Sequence, residues 1–432
     1  MNDLHRDWMG SRYVVGRSGC AKYAAKPMHQ RTSYVVTMRR CEVTVLRTYG
    51  YEEMKQAKGW RPIDKAALKD LETTRDAVLL DDGRTMLIGQ HEGMLRMMLE
   101  IAQSIIYDEK PAFKIHVDRG LSTVLEASDL GILIRSIHIC PVLYSPDIEL
   151  PPMVQLCLHV YRTHALRLVA AFVPSGRSPD GRLIAEVCDD YIADVRDMAI
   201  ATGIKRQQAR WVRNAAENEK SVDTYLNRLR ARSGDLAIFG IDLMCQQVRV
   251  SEENAHALSG QFERLASANQ IAYFNGTSEH APVGGHVGIE QVLSDRERLF
   301  SKIKSKSSIV THLVGYVCSV SWSRVGGFNL YLACVFDGRH VGQTECRALS
   351  EAVGHYWVES VTSGRGEYLL HGLLSDDGYA AEWIGGNEDG KFDRWKRSLQ
   401  RRALRDKFAR PRLPDDINPK LFTMGRMPRP PE

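Results

Sequence analysis

The sequence predicts an α+β fold, with an antiparallel sheet and packed helices in the C-terminal half and a mainly helical region before it. Three observations predict it. Residues 311–338, THLVGYVCSVSWSRVGGFNLYLACVFDG, read as two strands, 313–322 and 328–336, rich in Val and aromatics. A Gly-containing turn joins them, and the turn dipeptide Asp337-Gly338 closes the second. From 235 onward the pattern runs strand, helix, strand, strand, helix, strand, helix, which is the order of one sheet with helices laid on it. Between 154 and 229 the pattern is largely helical, interrupted by the loop PSGRSPDG at 174–181.

The chain divides into a basic N-terminal arm (1–60), a mainly helical region (61–232), the α+β domain (233–412) and a Pro/Arg-rich tail (413–432). The arm carries Arg6, Arg12, Arg17, Lys22, Lys26, Arg39 and Arg40, with short strands at 34–38 and 43–46. A short helix follows at 64–76, then the turn Asp81-Asp82-Gly83. A second helix at 92–106 has Met94, Leu95, Met98, Leu99 and Ile105 at helical spacing, a stripe that reads as core. Residues 121–138 alternate in apolar character. Pro141, Pro146, Pro151 and Pro152 mark a boundary near 150. A long apolar helix is expected at 154–173. Charged helices follow at 183–201 and 207–229, their salt-bridge-rich faces reading as solvated surface. Then come a strand at 235–244, a helix at 251–268, a Gly-rich loop at 275–288 and an amphipathic helix at 288–304. After the two central strands, a helix at 344–362 stops at Gly364, a short strand occupies 365–374, and a basic helix spans 391–412.

Composition sets the class. With 432 residues, 44% hydrophobic and 26% charged, the chain has the balance of a folded globular protein of two or three domains and not of a disordered one. A net charge of +5 permits an anionic partner without requiring one. Nine cysteines without a Cys-x-x-Cys pair point to a reducing compartment and free buried thiols. The first thirty residues hold no signal-peptide core, and the longest apolar run, 166–173, is too short to cross a bilayer. The expectation is a cytoplasmic protein with no membrane partner.

Asn329 and Tyr331 are the polar exceptions on an otherwise apolar strand, spaced i, i+2 and therefore on one face. They read as hydrogen-bonded groups in a vestigial pocket before they read as metal ligands. Asp242 on the first sheet strand is a candidate carboxylate ligand, or else a strand-end cap or ion-pair partner. Asp337 is explained by its turn. His340, His355 and His371 lack a metal-type spacing, and His280 and His286 flank Gly284-Gly285 in a loop. Gly364-Arg365-Gly366 reads equally as a tight turn or as a phosphate-contacting loop through Arg365. The basic helix is the best physical case for nucleic acid. It carries Arg394, Lys396, Arg397, Arg401, Arg402, Arg405, Lys407 and Arg410, with Trp395 and Phe408 interleaved for base stacking or for docking on the sheet.

The blocks LVGYVCSVSWS, GGFNLYLACVFDG and VGHYWVESVTSGRGEYLLHG resemble the C-terminal domain of the YagK/YfjJ prophage proteins, the inovirus gene-two-like replication proteins. AIFGIDLMC, SDRERLFSKIKSK and LFTMGRMPRP fall where that family has equivalents, and YSPDIELPPMVQLCLHVY is loosely similar to its helical lead-in. The resemblance covers roughly 234–427 and none of 1–130. It implies an HUH-endonuclease-like fold, in which a His-hydrophobe-His pair and an acidic residue hold Mg²⁺ or Mn²⁺ against a phosphate of single-stranded DNA. A Tyr on a C-terminal helix then attacks that phosphate. This sequence departs from the pattern at each chemical position. The two His positions fall on Asn329 and Tyr331, and the acidic position falls near Ser321. The helix that usually carries the nucleophile reads LQRRALRDK at 399–407, with no Tyr from 391 to 432.

The resulting expectation is a phage- or prophage-type replication-initiator-like DNA-binding protein with nicking lost or impaired. One alternative is a live Mg²⁺- or Mn²⁺-dependent nicking enzyme using Asp242, Asn329 and a loop His, with Tyr356, Tyr368 or Tyr379 as nucleophile. The other is an interaction protein with no nucleic-acid role.

Overall fold

A computed structural model describes residues 63–425, apart from 83, 88–92, 120, 145–147, 170–171, 276–285, 304–310, 324, 371–380 and 415–418. The basic arm with its two short strands, and the candidates His280, His371 and Tyr379, lie outside the described residues.

Helix α1 (Lys65–Asp76) starts at Asp64, whose Oδ1 accepts from the Ala67 N–H at 2.9 Å and caps the first turn. The antiparallel hairpin β1 (Ala77–Leu80) and β2 (Thr85–Leu87) follows. Helix α2 (Met94–Tyr107) buries the Leu95, Met98, Leu99 and Ile105 stripe, as its spacing predicts. A second hairpin, β3 (Phe113–Asp118) and β4 (Leu121–Glu126), leads to α3 (Asp129–Leu133), a 3₁₀ run at Ile134–Leu143 and the short β5 (Ile148–Glu149).

Helix α4 (Pro152–Thr163) is shorter than the helix expected at 154–173. His164 adopts extended backbone, and its ring Nδ1 accepts from the Leu166 N–H at 3.1 Å, starting a 3₁₀ turn in place of further α-helix. Helices α5 (Ile184–Thr202) and α6 (Ile204–Ser233) meet at Gly203, where φ is 62°. Glycine takes that left-handed conformation without a Cβ clash, so a single residue separates the two helices.

The main sheet begins with β6 (Leu236–Met244). After it come β7 (Arg249–Val250), α7 (Glu252–Asn275), α8 (Ile289–Ile303), β8 (Leu313–Ser323) and β9 (Gly327–Asp337). Helix α9 (Gln343–Tyr356) runs into a π-helical turn at Trp357–Val361, followed by β10 (Glu367–Leu370) and β11 (Ala381–Ile384). Helix α10 (Asp389–Leu404) ends in a 3₁₀ turn at Arg405–Lys407, and β12 (Arg410–Pro411) and β13 (Phe422–Met424) close the described chain. The expected basic helix at 391–412 therefore stops before Arg405.

The sheet order is β10-β6-β9-β8-β13, with β11 paired to the other half of the β6 outer edge; every pair in it is antiparallel. Residues 422–424, expected in a tail, are an edge strand on β8. Helices cover both faces. On one face Ile238, Val317, Ala333 and Val335 pack against Val222, Tyr225, Leu226 and Leu229 of α6 and Phe392, Trp395 and Leu399 of α10. On the other, Phe239, Ile241, Leu330, Leu332 and Phe336 pack with Ile289, Val292 and Leu299 of α8 and Val353, Trp357 and Val361. Burial on both faces explains why β9 reads as an almost unbroken apolar run. Helix α6, the last helix of the expected helical region, thus belongs to the sheet's own layer. A further core of α2, α4 and α5 reaches the sheet end at Trp322, Leu404 and Phe408.

The seven described cysteines are buried and free. No helix among the described residues is long and apolar enough to cross a membrane.

Trp357 anchors the π turn: its ring is fully buried and its Nε1–H donates to the Met244 carbonyl at 2.8 Å. Trp357→Ala should cost about 3–5 kcal/mol in urea unfolding. A loss below about 1 kcal/mol would show that this anchor is not what holds α9 to the sheet.

Candidate functional site

Strand register assembles the site. Asp242 on β6 lies opposite Tyr331 on β9, which lies opposite Ser319 on β8; Asn329 lies between Met244 and Ser321 in the same way. Opposed residues in antiparallel strands share a face, as do residues two apart on one strand. Asp242, Ser321, Asn329 and Tyr331 therefore stand together on the face covered by α6 and α10. Gly240 makes room for the phenol: a Cβ there would lie 2.5 Å from the Tyr331 hydroxyl oxygen. The Ser321 hydroxyl donates to Asn329 Oδ1.

The charge over this face comes from α10. Phe392, Trp395, Leu399 and Arg402 fall at helical spacing on its buried side. Arg402 is only 4% exposed. Its guanidinium stacks 3.5 Å from the Tyr331 ring centroid, and its Nη1 lies 3.5 Å from Asp242 Oδ1. The cation on this face is thus a guanidinium of the chain itself, with Asp242 as its counter-charge.

These residues do not fit Mg²⁺ or Mn²⁺. Such ions take about six oxygen ligands, usually including one or more carboxylates. Here one carboxylate stands among neutral hydroxyl and amide groups, and a cation is already against it. Among the described residues, no group of three or more His, Cys, Asp or Glu side chains is arranged to hold a metal.

Of the tyrosines considered as nucleophiles, the two that are described, Tyr356 and Tyr368, point elsewhere. Tyr368 on β10 is registered to Leu243, the neighbour of Asp242 whose side chain takes the opposite face, and Tyr356 packs into that opposite core. Burial raises both phenols above their ordinary range. His355 approaches the Tyr368 hydroxyl at 3.4 Å on that side. His286 packs against Gly327, and His340 stacks on His312. Asp337 accepts from Arg339, which holds its carboxyl down at about 2, the turn chemistry its sequence predicts.

The residues expected on DNA are largely committed within the protein. Trp395 Nε1 donates to Glu382 Oε2 at 2.9 Å, and Arg394 reaches Oε1 of the same carboxylate at 3.2 Å. Lys396 pairs with Asp393 and Asp223, and Lys407 with Glu219. Arg405 is buried. Arg410 stacks 3.9 Å from the Trp211 ring centroid and donates to its carbonyl. Arg365 donates to the Cys245 carbonyl at 2.8 Å and pairs with the fully buried Asp295, so it staples α8 to the end of β6. Arg397 is exposed and Arg401 half-buried.

A different cationic surface emerges on α6. Arg206, Arg210, Arg213, Glu217 and Lys220 are all exposed, and steps of four and three residues place them on one stripe. The stripe is roughly 21 Å long at 1.5 Å per residue. Its spacing is visible in the sequence, where the whole face reads only as solvated surface.

No family model, curated protein or solved structure matches this chain.

Two measurements follow. Arg402→Met should destabilise the fold by about 3–5 kcal/mol because Asp242 is left buried against a neutral group, and adding Asp242→Asn should recover most of that loss. Strict additivity in urea titrations of the two single variants and the double would show that the pair is not coupled. Asp406, in the 3₁₀ turn after α10, has its carboxyl pushed up to about 6 by burial, with Arg410 and Arg405 pulling the other way. A carboxyl raised on folding costs stability above its folded value, and the cost disappears once both states are protonated. Asp406→Asn should therefore gain about 1–3 kcal/mol at pH 8, with the gain fading between pH 6 and pH 4; a gain constant with pH would contradict the assignment.

Proposed function

We propose that this protein binds DNA without nicking it, on a replication-initiator-like scaffold of the YagK/YfjJ type. The observation that carries the binding reading is the exposed row of Arg206, Arg210, Arg213 and Lys220 on α6. Such a row meets a phosphate backbone without desolvating buried groups, and its attraction is sequence-independent and salt-sensitive. Arg402 against Asp242 supports the inert half of the reading, since the position that would receive a catalytic metal already holds a guanidinium. Tyr356 and Tyr368, on the opposite face, support it too. The family blocks between 234 and 427 favour single-stranded DNA as the partner.

The test is fluorescence anisotropy with labelled single-stranded oligonucleotide across a salt series, together with supercoiled plasmid in Mn²⁺ and in EDTA. Arg206→Gln/Arg210→Gln/Arg213→Gln should weaken binding at every salt concentration. It should flatten the log–log salt slope by about 0.7 for each phosphate contact removed. Unchanged binding by this variant removes α6 as the interface. Metal-dependent nicking with a covalent protein–DNA band overturns the inert reading.

A further inference from the structure

The hairpin of β3 and β4 stands apart from the main sheet as a sheet of two strands. Phe113, Ile115 and Val124 turn one of its faces onto the core of α2, α4 and α5. Register puts Lys114 beside Leu125 and His116 beside Thr123 on the other face. All four of these side chains are exposed, Leu125 by 53%. The two strands differ in how their edges are guarded. Along β3, Lys114, His116 and Asp118 alternate with apolar residues. Along β4 there is no charge from 121 to 125, and Glu126 at its end pairs with Arg135. The β4 ladder with β3 runs through six consecutive pairs without a bulge, and the strand holds no proline. Charges, prolines and bulges are the usual protection of a sheet edge, and β4 has none of them before Glu126. Among the described residues, the backbone of 122–125 makes no backbone hydrogen bond outside its ladder with β3, and no strand lies on its outer side.

An open edge of this kind receives another strand, and the pattern of β4 suits its own copy. We infer that β4 is a self-association edge, at which two copies of this chain pair β4 antiparallel to β4 about a two-fold axis through Thr123. This register centres the uncharged stretch. Thr123 then faces Thr123, Ser122 faces Val124 and position 125 faces position 121 of the second copy. Threonine pairs suit antiparallel strands, and no like charges are opposed across the axis. The charges lie further out and complement each other: Asp118 of one copy and Lys114 of the other end the same row across the joined sheet, and symmetry repeats the arrangement. Such a contact is isologous and closed, so it stops at a dimer. It also converts a two-stranded sheet, marginal by itself, into a four-stranded one with the Thr123 and Leu125 side chains at its centre. The inference goes beyond the DNA-binding reading and does not require it, because none of the α6 row takes part.

The experiment is sedimentation of the full chain without DNA over a range of concentrations, with circular dichroism to confirm the fold of each variant. The parent should pass from monomer to dimer as concentration rises. Thr123→Lys sets two ammonium groups against each other on the axis and should weaken association about tenfold or more. Thr123→Val keeps an apolar, β-branched pair there and should associate at least as well as the parent. Thr123→Cys should form a disulfide-linked dimer on mild oxidation, since directly opposed residues of antiparallel strands lie within disulfide reach. Val117→Cys, exposed but on the strand away from the axis, should not, and the parent, whose seven described cysteines are buried, sets the baseline. A parent that stays monomeric at every concentration overturns the inference, as does a dimer that folded Thr123→Lys leaves unchanged. If Thr123→Lys does not fold, cross-linking decides: a Thr123→Cys dimer that forms no faster than the Val117→Cys one overturns it equally. The α6 triple variant should associate as the parent does, so loss of DNA binding and loss of the dimer are read separately.

Discussion

One buried charge organises the sheet half of this protein. Removing a guanidinium from water costs several kcal/mol, and the cost is met only if a counter-charge and good packing come with it. Arg402 has both, with Asp242 on β6 and the Tyr331 ring on β9. A guanidinium is suited to this because it is flat, delocalised and weakly hydrated, so one face can lie on an aromatic ring while its edge meets a carboxylate. The requirement fixes α10 about its axis. With Arg402 turned inward, Trp395 is turned inward two turns earlier and finds Glu382, which ties the helix to β11 at the far edge of the sheet. One pairing therefore sets the position of a helix and the docking of an edge strand.

The sheet then partitions the molecule. Side chains of successive residues alternate between faces, and β6, β9 and β8 are covered on both sides, so nothing on one face reaches the other through the sheet. The face toward α8 and α9 is apolar core. All the polar positions of interest face α6 and α10. This is why His355 and Tyr368, which meet on the other side, are not partners for Asp242.

Much of this was legible in the sequence. The central hairpin announced itself through apolar runs and turn dipeptides, and the i, i+2 spacing of Asn329 and Tyr331 was enough to put them on one face. Asp242 joined them through register, which local sequence does not encode. The edge strands β11 and β13 are four and three residues long and exist by pairing with β6 and β8, so no periodicity of their own marks them. The basic helix was the hardest to read. Its cations outnumber the acids within it, which suggests an exposed polyanion surface. The acids that hold them come from distant elements: Glu382 on β11, Asp223 and Glu219 on α6, Asp242 on β6. One local clue was present. Arg402 sits seven residues after Trp395 and three after Leu399, on the apolar stripe, where a cation is out of place unless something buried receives it.

On the proposed reading, an arginine stands where an initiator-like scaffold would hold a metal, and this changes the chemistry without reversing the electrostatics. A divalent cation both attracts a phosphate and, as a Lewis acid, polarises it toward attack. A guanidinium keeps the attraction, offers two parallel N–H donors in a fixed geometry, and has no open coordination position from which to assist cleavage. The proposed binding without cleavage would follow from that one change of cation type, and the tyrosine beneath Arg402 is its natural companion: a phenol stacked under a guanidinium and sealed from solvent is positioned to support a charge, not to attack one.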